Sequence, residues 1–115
     1  MTTTTSPEVT HYGYRVLWSA EDREFVGTCL EFPSLSWLAA TQEEALKGIR
    51  DLVREVIDDL RADDQPVPEP MSSRAYSGKF NVRLGQQLHR KLAMEAAEQH
   101  LSLNQYVVRR LNNTP

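Results

Sequence analysis

Gly78-Lys79-Phe80-Asn81-Val82-Arg83-Leu84 alternates polar and apolar side chains, with Lys79, Asn81 and Arg83 on one parity and Phe80, Val82 and Leu84 on the other. Neighbouring side chains of a strand point to opposite faces, so this spacing predicts a short strand over 79–84 with one basic, polar face and one apolar face. Downstream, Leu88, Leu92, Ala93, Ala96 and Ala97 fall on one side of a helix expected over about 86–99. A second helix is expected after Ser102, a good N-cap residue, running through Tyr106, Val107 and Leu111. One strand and two short helices bury too little surface to stand alone, so an obligate dimer is the expected remedy.

The polar parity suits a DNA groove. Arg and Lys match the paired acceptors of guanine, and Asn can bond adenine through two hydrogen bonds. Lys79, Asn81 and Arg83 are therefore the candidate base-reading residues, and the competing reading is an ordinary solvated strand face. Ser102 either only caps its helix or also presents the helix N-terminus to a phosphate, and the two roles are compatible. Arg109 and Arg110 sit near a helix C-terminus, where the helix dipole accounts for them without DNA.

Charge supports the same division. Residues 71–115 hold 7 Lys+Arg against 2 Asp+Glu, a net of +5, whereas residues 1–70 hold 6 against 14, a net of −8. The whole chain, at −3, conceals this contrast. A basic segment joined to an acidic one points to a polyanion at one end and a basic partner at the other. With 115 residues, 40% of them hydrophobic, the chain can bury one modest core, or two small ones if a partner completes the second.

Upstream, residues 12–18 and 24–32 are rich in aromatic and β-branched types and flank the acidic turn 20–23, which predicts a β-hairpin. A third short strand is expected over 35–39, after Pro33-Ser34. Thr41 and Glu44 form a capping-box pattern that opens a helix over 42–62. Along it Ala45, Leu46, Ile49, Leu52, Val53, Val56, Ile57 and Leu60 make an apolar stripe. Prolines 66, 68 and 70 end that run, so 63–76 reads as a linker and 1–10 as a disordered N-terminus.

Several classes are disfavoured. The single Cys29 forms no internal disulfide and reads as a small core residue. His11, His89 and His100 are scattered, and Glu43, Glu44, Asp51, Glu55, Asp58 and Asp59 read as a solvated helix face with basic neighbours rather than a two-metal site. No enzyme activity, catalytic residue, metal or cofactor is expected. Tyr12, Tyr14, Trp18 and Trp37 are either core residues, the commoner role, or anchors for a partner. Nothing approaches a membrane span, and the Thr-rich opening lacks signal-peptide character, so a cytoplasmic protein is expected.

The stretch 79–84, its spacing to two helices, and Ser102-Leu103-Asn104-Gln105-Tyr106 resemble the ribbon-helix-helix family over residues 77–111. That resemblance implies a dimer whose paired strands form a ribbon in the major groove of operator DNA. The family usually turns between its helices at Gly or Asn, where this chain has His100. The whole order resembles the HicB antitoxins, through Phe25-Val26-Gly27, Glu31-Phe32-Pro33-Ser34-Leu35, Thr41-Gln42-Glu43-Glu44-Ala45-Leu46 and Pro66-Val67-Pro68-Glu69-Pro70. It implies an α+β fold: a partial ribonuclease-H-like domain over 11–62, with antiparallel strands on one long helix, and a ribbon-helix-helix over 77–115. It also implies a HicA-like RNA-cleaving toxin as protein partner, and a homodimer or tetramer that represses its own operon. The alternative is a ribbon-helix-helix repressor whose N-terminal domain binds a small ligand or only oligomerises.

Overall fold

In the computed structural model, which describes residues 8–113, the aromatic and β-branched residues around the acidic turn form an antiparallel hairpin. Its strands are β1 (Tyr14–Ser19) and β2 (Glu24–Cys29). The turn closes through the Arg23 amide on the Ser19 carbonyl at 2.8 Å, with Arg23 in the left-handed region at φ 54°. Strand β3 (Ser36–Ala39) adds antiparallel to β2, giving the order β1-β2-β3. The register runs from Tyr14 opposite Cys29 to Ser19 opposite Glu24, and from Phe25 opposite Ala39 to Thr28 opposite Ser36.

Helix α1 (Gln42–Ala62) covers one face of this sheet. Its start is half of the expected capping box. The Thr41 hydroxyl accepts from the Glu44 amide at 3.1 Å, while the Glu44 carboxylate accepts from that hydroxyl rather than reaching the Thr41 amide. Ala45, Ile49, Val53 and Ile57 are buried, and Ile49, Val53 and Ile57 cluster with Tyr12, Cys29 and Phe32. Each large side chain so buried contributes about 1.5–3 kcal/mol. Leu46, placed on the stripe by spacing, is instead exposed. Helix and sheet approach closely at two glycines: a Cβ at Gly27 would lie 2.6 Å from the Ala45 carbonyl oxygen, and one at Gly48 would overlap the Trp37 indole.

Asp64, at φ 58°, ends α1 in a Schellman motif: the Gln65 amide reaches the Leu60 carbonyl at 2.7 Å and the Asp64 amide reaches Arg61 at 3.1 Å. The proline-rich stretch then returns onto the sheet unit. Val67 packs on the core, Pro70 is buried, and the Pro68 carbonyl accepts from the Tyr12 hydroxyl at 2.6 Å. Residues 63–76, expected to be a linker, are thus partly a strap on the first unit. Val9–His11 forms a 3-10 turn whose Val9 carbonyl accepts from the Tyr14 hydroxyl at 2.8 Å. Residues 1–7 of the expected disordered N-terminus lie outside the described residues.

The chain divides into two compact units, Met1–Tyr76 and Ser77–Pro115. The second contains α2 (Gln86–Glu98) and α3 (Leu103–Asn112), and its buried residues are Ala96 and Tyr106. His100 takes the left-handed conformation, φ 58°, that the family's Gly or Asn would suit. It completes a second Schellman motif, with the Leu101 amide on the Ala96 carbonyl at 2.9 Å and its own amide on Ala97 at 3.1 Å. The strand expected over 79–84 is not formed in the single chain: a strand is made by ladder bonds to a neighbour, and no described residue pairs with this stretch. The architecture is mixed α+β, with a three-stranded antiparallel sheet and three α-helices among the described residues.

Candidate functional site

Before Gly85, which caps α2 with no side chain, the stretch from Gly78 to Val82 lies along an open groove completed by α3. Lys79 and Asn81 line it together with Phe80 and Val82, opposite Leu103, Asn104, Val107 and Val108. The two parities therefore share one groove, and the separation into two faces that alternation predicts is not made without a neighbouring strand. Arg83 is exposed and lies outside this lining. The apolar parity is solvent-facing: Phe80 is 79% exposed, Val82 58% and Leu84 41%. These values matter because apolar side chains this open, at alternate positions beside an apolar helix face, make a surface that association would cover.

Ser102 caps α3 in a full capping box. Its hydroxyl accepts from the Gln105 amide at 3.0 Å, and the Gln105 side-chain carbonyl accepts from the Ser102 amide at 3.0 Å. The Leu103 and Asn104 amides are too early in α3 for intrahelical partners, so they remain as donors at its positive end. The helix is fixed against α2 by a network that the sequence reading missed. The Tyr106 hydroxyl donates to Glu95 at 2.6 Å, and Arg110 donates to that hydroxyl at 3.0 Å and lies 3.6 Å from the same carboxylate. The Tyr106–Arg110 spacing of one helical turn is visible in sequence, but the cross-helix partner Glu95 is not. Arg110 is accordingly engaged within the unit.

In the first unit the acids of α1 are exposed and in part neutralised locally. Asp51 accepts from Lys47 at 2.9 Å and from Arg54 at 3.0 Å, and the Lys47 hydrogen bond in particular holds its carboxyl below the usual range. Among the described residues no group of His, Cys, Asp and Glu is placed to hold a metal ion. Glu31 is a carboxylate of this unit with a positioning role. Burial would raise its carboxyl, but the Met71 and Gly13 amides, donating at 2.8 and 3.0 Å, outweigh burial and hold it low. Glu31 thereby ties the strap to the hairpin. Burial pushes the Cys29 thiol and the Tyr12 and Tyr14 hydroxyls up. The four aromatic candidates divide: Tyr12 is buried edge-on to Phe32 and Tyr14 half-buried, whereas Trp18 and Trp37 are largely exposed.

No helix among the described residues is long and apolar enough to cross a membrane. Neither a curated protein nor a solved structure matches the chain. Residues 65–111 match the HicB family model. That range takes in the proline strap, the alternating stretch 79–84 and both helices of the second unit, and it stops short of the hairpin and α1. Over residues 65–111 the chain is similar to the HicB family, a likeness that suggests a role connected with toxin-antitoxin systems.

Proposed function

We propose that the protein is a non-enzymatic antitoxin that neutralises a HicA-type RNA-cleaving toxin and represses its own operon. A second copy completes the C-terminal unit: the two 79–84 stretches pair as an antiparallel ribbon, Phe80, Val82 and Leu84 turn inward, and Lys79, Asn81 and Arg83 face the bases of the operator's major groove. Ser102 sets the N-terminus of α3, where the Leu103 and Asn104 amides meet a backbone phosphate. The acidic N-terminal unit, a partial ribonuclease-H-like domain in this reading, attracts the basic toxin.

The observation that carries the reading is the state of the second unit. It exposes Phe80, Val82 and Leu84 and, among the described residues, buries only Ala96 and Tyr106, within the stretch that matches the HicB model. The test is the triple substitution Lys79→Ala, Asn81→Ala, Arg83→Ala. The dimer and toxin neutralisation should persist, while binding to the operon's promoter in a gel shift should fall sharply, each lost bidentate contact being worth about 1–3 kcal/mol. Wild-type affinity in the triple variant would show that another element reads the DNA.

A further inference from the structure

Residues 67–76 carry two sets of contacts that differ in reach. Inside the strap the bonds are local. The Ser73 amide reaches the Pro70 carbonyl at 3.1 Å, the Arg74 guanidinium donates twice to the Glu69 carbonyl at 3.1 and 3.0 Å, and the Tyr76 hydroxyl donates to the Met71 carbonyl at 2.7 Å. The bonds that fasten the strap to the sheet unit come from far away in sequence. The Tyr12 hydroxyl donates to the Pro68 carbonyl at 2.6 Å, and the Met71 amide donates to the Glu31 carboxylate at 2.8 Å. Val67 packs on the core and Pro70 is buried. Prolines 66, 68 and 70 have no amide to donate, which keeps the strap out of the sheet ladder.

We propose that residues 67–76 are a releasable strap, which lifts from the sheet unit as one piece at a lower free energy than global unfolding and so sets the length of free chain leading to the second unit. Its ends permit this. Ahead of it α1 is already closed by the Gln65 amide on the Leu60 carbonyl, and residues 61–66 are exposed. Behind it Gly78 takes φ 86° with open space around it. The groups that grip the strap, a hydroxyl and a carboxylate, are ones that water hydrates readily, whereas Ile49 meets the sheet directly at Gly27. Lifting the strap therefore leaves the contact of helix on sheet in place, as befits a local opening. With the strap down the free chain starts at Ser77; with it up, residues 67–76 add at most about 35 Å of reach. Where two joined units bind at once, such a tether sets the span they can cover.

The test is amide hydrogen exchange on the full chain, read residue by residue in a urea series. In the wild type the Met71 amide should exchange about tenfold faster than those of Ile49 and Val53 or more, and its rate should barely respond to low urea, because local opening exposes little surface. A Met71 rate that tracks Ile49 and Val53 in size and urea dependence overturns the proposal, since the strap is then part of the core. Tyr12→Phe keeps the buried ring and removes a bond that does not touch Met71. If the strap lifts as one piece, this variant should speed Met71 exchange about fivefold, as loss of one hydrogen bond implies. An unchanged Met71 rate means that the two fastenings open separately and overturns it too. Small-angle scattering then reads the tether: the full-chain variant Tyr12→Phe, Glu31→Gln, its fold checked by Trp18 and Trp37 emission, should show a larger maximum dimension than wild type. An unchanged dimension with Met71 unprotected overturns the role in tether length. Should the double variant fail to fold, the wild-type urea series still decides whether the strap opens.

Discussion

Tyr12, Cys29, Phe32, Ile49, Val53 and Ile57 of the first unit bury one another within a single chain, whereas α2 and α3 bury only Ala96 and Tyr106 and leave Phe80, Val82, Leu84, Leu88, Met94, Val108 and Leu111 exposed. The difference follows from what each unit has to pack. A long amphipathic helix laid on a sheet closes a core with local chain, aided by the close approach at Gly27 and Gly48. Two short helices and an unpaired stretch have no second layer, and the Ser102 capping box, Schellman turn and Tyr106–Glu95 bond organise them without covering them. One unit carries its stability internally, and the other, on the function proposed above, gains it by association.

The strongest way to break this comparison is Val82→Asp. In a paired ribbon it would bury a carboxylate without a partner, a cost of several kcal/mol. Light scattering should show a monomer, and circular dichroism a loss of helix at micromolar concentration. Emission from Trp18 and Trp37, both in the first unit, should stay unchanged. A variant that remains dimeric would mean that the exposed residues of the second unit are not its contact surface. The converse substitution, Ile49→Ala, should cost the first unit about 2–5 kcal/mol, read as an earlier urea midpoint in tryptophan emission, with the dimer intact.

The first unit was the more legible of the two in the sequence. The spacing from Ala45 to Leu60 and the Thr41 cap placed α1 at its observed limits, because a helix start is written in nearby residues. Spacing could not tell that Leu46 lies at the edge of the stripe, since that depends on where the sheet ends. Nor could composition show that 67–71 return to the sheet: proline content reports backbone stiffness, while the partners Glu31 and Tyr12 are remote in sequence. In the second unit the two helices were legible from periodicity and the Ser102 cap. The expected strand over 79–84 depends on a neighbour that a single chain does not supply.

The strap offers a subtler distinction between the units, through pH. Glu31 has its carboxyl lowered in the fold from an ordinary 4.5, so its contribution is present above that value and lost as pH falls through the lowered one. Tyr12 and Tyr14, ordinarily at 10.0, and Cys29, ordinarily at 9.0, are raised in the fold. Their contribution is complete below the ordinary values and lost as pH rises through them toward the raised ones. Tryptophan emission during urea unfolding should therefore show stability falling on both limbs. Glu31→Gln should remove about 1–3 kcal/mol at neutral pH, flatten the acid limb, and soften the alkaline limb only in part, because burial raises Tyr12, Tyr14 and Cys29 first and the Glu31 charge adds to it. An unchanged acid limb would assign it to other carboxylates.

The smallest expected effect compares the two helix ends that place a residue with a side chain at positive φ. Asp64 closes α1 and His100 closes α2, each at φ 58° and each in a Schellman motif. A left-handed conformation costs an ordinary residue roughly 1–2 kcal/mol that glycine avoids, less the greater freedom glycine has when unfolded. His100→Gly should therefore stabilise the second unit by up to about 1 kcal/mol. Asp64→Gly should gain less, because a short polar side chain tolerates this region better. The readouts differ with the unit: Asp64→Gly should move the urea midpoint of tryptophan emission at any protein concentration, whereas His100→Gly should move a helix-melting midpoint that itself rises with concentration. If the His100→Gly midpoint shifts equally at every concentration and the wild type shows no dependence, the second unit folds without a partner and the contrast between the units fails.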